Sequence, residues 1–310
     1  MNILFRENQF NERGTSVSLF DYAHYAETIL GHTSYVCAPV LSDLSSYEKF
    51  INRFGDRCCL YKDNLQGIVD DCNIDVVYHQ VSGQVCDLRV PNIKNVYHGV
   101  FNFKNLEVTA YISDWLAKEN NSISVPYIVT LPDIKHNYRE SLGIPSHAPV
   151  IVRTGGFGNF DILDAQRAVY ETALRQPSTY FLMLNTDEFC PPIPNIIHIQ
   201  ATTSREEITA LLNTADAFLY ARSRGETFVL SIAEALHQDV PVIYYNGGYD
   251  KNHLEMMQDR GFEWNAYAEL FSLLDSYKYT RGYEKSTYSS LISEFTPEKV
   301  MEKFSKVFLY

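Results

Sequence analysis

The chain has 310 residues, about twice a typical domain length, so two domains or one large α/β unit are expected. Hydrophobic residues make up 45% and charged residues 21%, with 15 glycines and 12 prolines, which excludes collagen-like, low-complexity and disordered chains. The 26 basic and 38 acidic residues leave a net charge of −12, which argues against a nucleic-acid partner or a polybasic membrane anchor, since both face phosphates with positive charge.

The start, Met1-Asn2-Ile3-Leu4-Phe5-Arg6, reaches charge too early for a signal peptide. No apolar run approaches the ~18 residues of a membrane span, so the cytosol is the expected compartment. The six cysteines (Cys37, Cys58, Cys59, Cys72, Cys86 and Cys190) form no C-x-x-C pair, and the nine histidines no H-E-x-x-H. Reduced structural thiols and no metal site are therefore expected.

Short β-branched or aromatic runs alternate with amphipathic stretches, the pattern of βα repetition and a parallel sheet. In the first half, strands are predicted at Asn2–Phe5, Tyr35–Ala38, Cys58–Tyr61, Asp75–His79, Asn95–His98, Glu107–Ile112 and Tyr127–Val129. A helix is predicted over Ser16–Leu30, after the turn Asn11-Glu12-Arg13-Gly14-Thr15-Ser16, where Gly14 permits a bend and Thr15 or Ser16 can cap. His79 and His98 both fall at the carboxyl end of a parallel strand, where α/β sheets collect ligands. A hydrogen-bonded packing role accounts equally well for one such histidine.

The Gly/Pro-punctuated segment Leu142–Pro149 predicts an interdomain connection. It divides the chain into a first domain over 1–145 and a second domain over 146–295, with a helix over 296–310, begun by Thr296-Pro297, packed back on the first. The second set comprises strands Val150–Thr154, Tyr180–Leu184, Ile196–Gln200, Ala217–Tyr220 and Val240–Tyr245, with helices Ile162–Arg175, Arg205–Asn213 and Thr227–His237. Ser204 with Glu207 forms an S-x-x-E capping box. The tail beyond Asn265 reads as helical and tyrosine-rich, and no 20–50-residue period recurs.

The stretch Arg222-Ser223-Arg224-Gly225-Glu226-Thr227-Phe228-Val229, running into a helix with Glu234, carries the most chemistry. A strand–loop–helix turn aims backbone N–H groups and a positive helix end at one point, which suits a diphosphate. Arg222 and Arg224 add fixed charge. Glu226 at the helix mouth and Glu234 eight residues on would stand ~12 Å apart along the axis. That separation fits a nucleoside diphosphate sugar, with hydroxyls at both ends and phosphates between. Two glutamates at this spacing are also common on a solvated helix face.

Glu226-Thr227-Phe228-Val229, Glu234-Ala235-Leu236 and Asp239-Val240-Pro241-Val242-Ile243 together resemble the E-x7-E donor-site motif of retaining, family 4-type glycosyltransferases of the GT-B fold. The resemblance implies that Glu226 faces the sugar, the amides of Thr227, Phe228 and Val229 the distal phosphate, and Glu234 the ribose. Thr227 and Val229 stand where the family has two glycines, and Asp239 where it has a third. A β-branched Val229 narrows the approach to phosphate.

Val150-Ile151-Val152-Arg153-Thr154-Gly155-Gly156-Phe157-Gly158 is a strand ending in a glycine-rich turn, a phosphate-cradle pattern that also describes any tight βα turn. The similar enzymes carry an arginine here and then a lysine, and the pair neutralises the donor diphosphate. Arg153 fits the arginine, while Asn159, Phe160 and Asp161 occupy the lysine's region, so Arg222 or Arg224 is expected to supply the second charge. The resemblance also places Gly14 and Thr15 near the donor phosphates and His98, followed by Gly99, at the donor sugar, with His79 as the second choice. The phrase Arg13-Gly14-Thr15-Ser16-Val17 with Asp21-Tyr22-Ala23-His24-Tyr25 is similar to a subgroup of such transferases.

Gly247-Gly248-Tyr249-Asp250 follows a strand and could touch a nucleobase, and Tyr277–Tyr288 reads as a packing stripe or a sugar platform. Asp56, Asp70, Asp71 and Asp75 are scattered and form no D-x-D motif. The resemblance implies two Rossmann-like parallel-sheet domains facing across a cleft, the first (1–145) on the acceptor side and the second (146–295) binding the nucleotide sugar. The expected function is transfer of a sugar from a nucleoside diphosphate sugar to a glycan, protein or lipid-linked hydroxyl acceptor, with retention, without metal and without a separate cofactor. A GT-B epimerase or inverting transferase, and a nucleotide-sugar binding protein without turnover, are the alternatives.

Overall fold

The computed structural model describes residues 1–11, 13–39, 44–62, 65–82, 89–103, 106–276 and 288–310, the side chain of residue 45 excepted. They form two compact units, Met1–Ile128 with Glu294–Tyr310 and Val129–Ser293. The Gly143–Pro149 segment lies inside the second unit, where Arg139 Nη1 donates to the carbonyls of Pro145 (3.1 Å) and Ala148 (2.8 Å).

The first unit runs β1 (Asn2–Arg6), α1 (Gly14–Thr28), β2 (Thr33–Ala38), α2 (Leu44–Phe54), β3 (Cys58–Leu60), α3 (Gln66–Asp71), β4 (Val76–Val81), β5 (Lys94–Gly99), β6 (Ala110–Tyr111) and α4 (Asp114–Glu119). The second runs β7 (Val150–Arg153), α5 (Leu163–Arg175), β8 (Tyr180–Leu184), β9 (Ile196–Ile199), α6 (Arg205–Thr214), β10 (Ala217–Tyr220), β11 (Gly225–Glu226), α7 (Leu230–His237), β12 (Val242–Tyr245), β13 (Asp250–Lys251), α8 (Asn252–Met257), β14 (Phe262–Trp264) and α9 (Tyr267–Ser276). A last helix, α10 (Pro297–Phe304), and a π-helical turn, Ser305–Leu309, belong to the first unit.

Each unit holds one six-stranded parallel sheet, ordered β3-β2-β1-β4-β5-β6 and β14-β12-β10-β7-β8-β9. This is the expected α/β, Rossmann-like architecture. Strands of such sheets are covered on both faces and so read as near-continuous apolar runs; β4, β7 and β10 have every residue buried, the runs of the first two giving way to His79, Gln80 and Arg153 at their carboxyl ends. In each sheet the strand order reverses once, between β1 and β4 and between β7 and β10. Loops diverge at such a point and leave room for a ligand at the carboxyl ends of the strands.

Several predicted boundaries shift for local reasons. α1 begins at Gly14 with Arg13 as its N-cap, so Thr15 and Ser16 lie in the first turn instead of capping it. Tyr127–Val129 forms no strand, and Glu107–Ile112 shrinks to β6. Pro126 has no N–H for a ladder, and its carbonyl instead accepts the Tyr22 hydroxyl at 2.8 Å. Pro241 likewise delays β12 to Val242. The capping box is half formed: Ser204 Oγ accepts the Glu207 N–H at 3.3 Å, whereas the Glu207 carboxylate binds the Tyr138 hydroxyl. Most of Tyr277–Tyr288, along with Cys86, lies outside the described residues; the other five cysteines are free thiols.

The returning α10 completes the core of the first unit. Phe304 stacks on Tyr22 at 5.3 Å and meets Tyr78 at 5.3 Å and Phe308 at 5.0 Å, and Lys303 Nζ donates to Ser124 Oγ at 2.9 Å. Truncating Phe304→Ala should cost about 3–5 kcal/mol, the range for a buried phenylalanine. Urea unfolding followed by tyrosine fluorescence checks this, and the first unit should melt early.

Candidate active site

The reversal point of the second sheet is organised by Arg153, the last residue of β7, which is only 4% exposed. Its Nη1 donates to Thr186 Oγ1, whose own hydroxyl is directed at the Leu184 carbonyl (2.9 Å), and its guanidinium lies 5.0 Å from the Phe160 ring centre. Burial holds the Arg153 pKa down at about 10, with Glu226, Tyr220 and Asp161 pulling upward and Arg222 pushing further down. Those residues are therefore electrostatic neighbours of the buried cation. The glycine-rich loop fits closely over it, since a methyl on Gly155 would come within 3.1 Å of Arg153 Nη2 and one on Gly156 within 3.0 Å of Asn159 Nδ2. The Gly158 N–H donates to Asp187 Oδ2 at 2.5 Å and fixes the far end of that loop.

The segment after β10 brings the second set of charges. Arg222 Nη1 lies 3.1 Å from Glu226 Oε1, their side chains 28% and 23% exposed. Burial pushes the Glu226 carboxyl upward, opposed by Arg222 and Arg153. Arg224 is arranged differently: its side chain is 61% exposed and its Nε donates to Asp250 Oδ2 at 2.9 Å. The two arginines flanking Ser223 thus serve separate partners. The Tyr220 hydroxyl, at the end of β10, is buried with no hydrogen-bond partner among the described residues.

Glu226 belongs to β11, which pairs with β13, and α7 starts only at Leu230. The ~12 Å axial separation from Glu234 therefore does not apply, because the two glutamates do not share a helix. Gly225 causes the difference. It has φ +76°, and a β-carbon there would stand 1.9 Å from the Asp250 carbonyl, so the chain turns sharply and pairs with 250–251 before helix can begin. Thr227, Phe228 and Val229 are buried, and the Val229 N–H is already given to Asn252 Oδ1 at 3.2 Å. Of the three amides expected to meet phosphate, that one has an internal acceptor.

Glu234 is buried on α7. Asp239, where the similar enzymes have glycine, takes the left-handed conformation with φ +52°. Its Oδ1 accepts the N–H groups of Tyr288 (3.2 Å) and Ser289 (2.9 Å), a tie that glycine could not make. The loop Gly247–Asp250 is held by its backbone, Tyr249 and Asp250 donating to the Arg224 carbonyl at 2.7 and 2.9 Å.

In the first unit the expected histidines are inside the core. His98 is 0% exposed, with Nδ1 2.5 Å from the Tyr78 hydroxyl and its ring against Tyr22 and Phe308, and burial drives its pKa to about 3. The assignment of His98 to a donor sugar is corrected on that ground: it is a neutral packing residue among aromatics. His79 stacks on Tyr97 and bonds Asn95 Oδ1 at 3.1 Å. Gly14 opens α1, and the Thr15 carbonyl accepts Gln80 Nε2 at 2.7 Å.

Glu7, just beyond β1 at the first sheet's reversal point, was not singled out by any motif. It is fully buried; Oε2 accepts the Ser16 hydroxyl at 2.8 Å, and burial lifts its pKa to about 7. Thr186, Tyr220 and Asn252 were also missed. Thr186 sits two residues beyond a correctly predicted strand, a position that could have marked it, whereas Asn252 follows no spacing code.

No protein-family model matches the chain, and no curated protein matches it. Solved structures do. A glycosyltransferase from Rickettsia africae superposes with a TM-score of 0.70 at 14% identity, covering 99% of this chain and 97% of that one. HepE from Anabaena, in complex with UDP and glucose, gives 0.71 at 12% over 99% and 98%. WaaG, a glycosyltransferase involved in lipopolysaccharide biosynthesis, gives 0.67 at 11% over 99% of both. The chain has the GT-B fold of these glycosyltransferases. Among the described residues, no helix is long and apolar enough to cross a membrane, and no three His, Cys, Asp or Glu side chains gather as metal ligands.

Two outcomes follow from this geometry. Gly225→Ala should destabilise the second unit by about 1–3 kcal/mol by forcing β11 off β13, read as a lowered thermal midpoint. Glu7 has a folded-state pKa of about 7, above its ordinary 4.5, so its contribution to stability is complete below pH 4.5 and is lost as pH rises through 7. Glu7→Gln should abolish that loss, worth on the order of 3 kcal/mol between pH 4.5 and 8. Urea midpoints of both proteins across that range check it. Buried His98, with its pKa depressed, has the opposite sign and destabilises only as pH falls below 6.5.

Proposed function

We propose that this protein is a glycosyltransferase that binds a nucleoside diphosphate sugar on its second unit and transfers the sugar to a hydroxyl acceptor. One observation carries the reading: at the reversal point of the second sheet, buried Arg153 gathers Arg222, Glu226 and an unsatisfied Tyr220 hydroxyl. Two cations and an orphaned donor meet the needs of a diphosphate, and the adjacent carboxylate suits sugar hydroxyls. The fold is that of transferases, one of which has been captured with UDP-glucose.

In this reading Arg153 and Arg222 stabilise the charge that develops on the departing diphosphate. The bond from the sugar's anomeric carbon to the phosphate oxygen breaks and its electron pair stays on that oxygen. The acceptor oxygen bonds to the same carbon, and its proton passes to the leaving phosphate. Glu226 holds sugar hydroxyls, the amides of Thr227 and Phe228 lie toward the distal phosphate, and Glu234 takes the ribose. Neutralisation by arginine needs no divalent cation. We assign retention of anomeric configuration, a glycan, protein or lipid-linked acceptor, and the cytosol as the compartment.

Calorimetry with UDP, GDP, ADP and dTDP, in EDTA throughout, tests the reading. One of the four should bind, and Glu234→Ala should weaken it at least about tenfold with circular dichroism unchanged, one lost charge-assisted bond being worth ~1.5–3 kcal/mol. Binding of none, or unchanged affinity in the Glu234→Ala variant, contradicts it.

A further inference from the structure

We infer that Asp161 is a positioning residue that holds the Arg222 loop in place, so that the second cation facing the diphosphate comes from the β10–β11 loop instead of from the β7–α5 loop. This rests on the donor-site reading above. Both oxygens of the Asp161 carboxylate serve one residue: Oδ1 accepts the Ser223 N–H at 2.8 Å and Oδ2 accepts the Ser223 hydroxyl. A two-point grip on backbone and side chain fixes the direction in which the chain leaves Ser223 on either side. On one side Arg222 turns toward Glu226, at 3.1 Å, in the electrostatic neighbourhood of Arg153. On the other Arg224 turns to Asp250, at 2.9 Å. The two arginines that the sequence left equivalent are thereby distinguished.

The exchange is consistent in charge. Asp161 lies in the 159–161 region where the similar enzymes carry a lysine, and Phe160, in the same stretch, packs on the Arg153 guanidinium. A third cation beside Arg153 and Arg222 would repel both, whereas a carboxylate there attracts them and still spends its oxygens on the loop. Where the similar enzymes carry a lysine, this chain has an acid that holds the loop bearing an arginine from the adjoining strand end.

The test compares affinity for the nucleoside diphosphate that binds, out of UDP, GDP, ADP and dTDP, with affinity for its monophosphate. Arg222→Ala should weaken the diphosphate about tenfold to a hundredfold and leave the monophosphate within about twofold, since one charge-assisted contact to the distal phosphate is lost. Asp161→Ala should show the same selectivity and add nothing in the Arg222→Ala background, because the two act as one unit. Asp161→Asn, which keeps the acceptor for the Ser223 N–H, should restore most of the affinity. Arg224→Ala should change both affinities by equal factors. If Asp161→Ala does not fold, Ser223→Ala removes only the hydroxyl and should give a smaller loss with the same selectivity. Additive effects of Asp161→Ala and Arg222→Ala, or equal losses for both nucleotides, overturn the inference. A wild-type chain that binds none of the four diphosphates overturns the donor-site reading and this inference with it; binding that Arg222→Ala leaves intact overturns this inference alone.

Discussion

A guanidinium withdrawn from water at the end of β7 constrains every group around it. Arg153 has Thr186 for a hydrogen bond and Phe160 for its face, and neither carries charge. A buried cation without compensating charge costs several kcal/mol, so anions must approach. Glu226 does so from β11 and Asp161 from the loop after β7. Each anion has a second partner, Arg222 for Glu226 and Ser223 for Asp161, and the loops are fixed through those partners. Gly225 makes the arrangement possible, since only a residue without a β-carbon lets β11 lie against the Asp250 carbonyl.

The two sheets share one strand order, yet the buried groups at their reversal points have different partners. Arg153 ends β7 in the second unit, whereas the carboxyl of Glu7 follows β1 in the first, bound to Ser16 in the opening turn of α1. Topology therefore builds two equivalent places, and side chains decide what each can accept. Arg6, which ends β1, is also buried, and its guanidinium donates to Tyr61 and Asn8. The core of the first unit is aromatic and depends on the returning α10, whose Phe304 and the following Phe308 enclose Tyr78 and His98.

Much of this was legible in the amino-acid sequence. Continuous apolar runs located Tyr180–Leu184 and Ala217–Tyr220 to the residue, because fully covered parallel strands leave that pattern. Arg153 was legible since it combines a strand end with a glycine-rich turn. What escaped depends on partners distant in sequence. Nothing local shows that Asn252 accepts the Val229 N–H, or that β11 pairs with β13 and postpones α7 to Leu230. His98 misled because a strand-end position does not say that the returning C-terminal segment, itself expected, sets Phe308 against that ring. Asp239 was noticed as a departure from glycine, but only its φ of +52° and its grip on Tyr288 and Ser289 explain why aspartate suffices.

The most direct test of the central claim is a crystal structure of the chain grown with UDP, GDP, ADP and dTDP in turn, in EDTA. The account predicts a diphosphate whose oxygens lie within hydrogen-bond distance of the Arg153 and Arg222 guanidinium groups, with the ribose at Glu234. A nucleotide seated elsewhere, or one that leaves Arg153 bound only to Thr186, would contradict it.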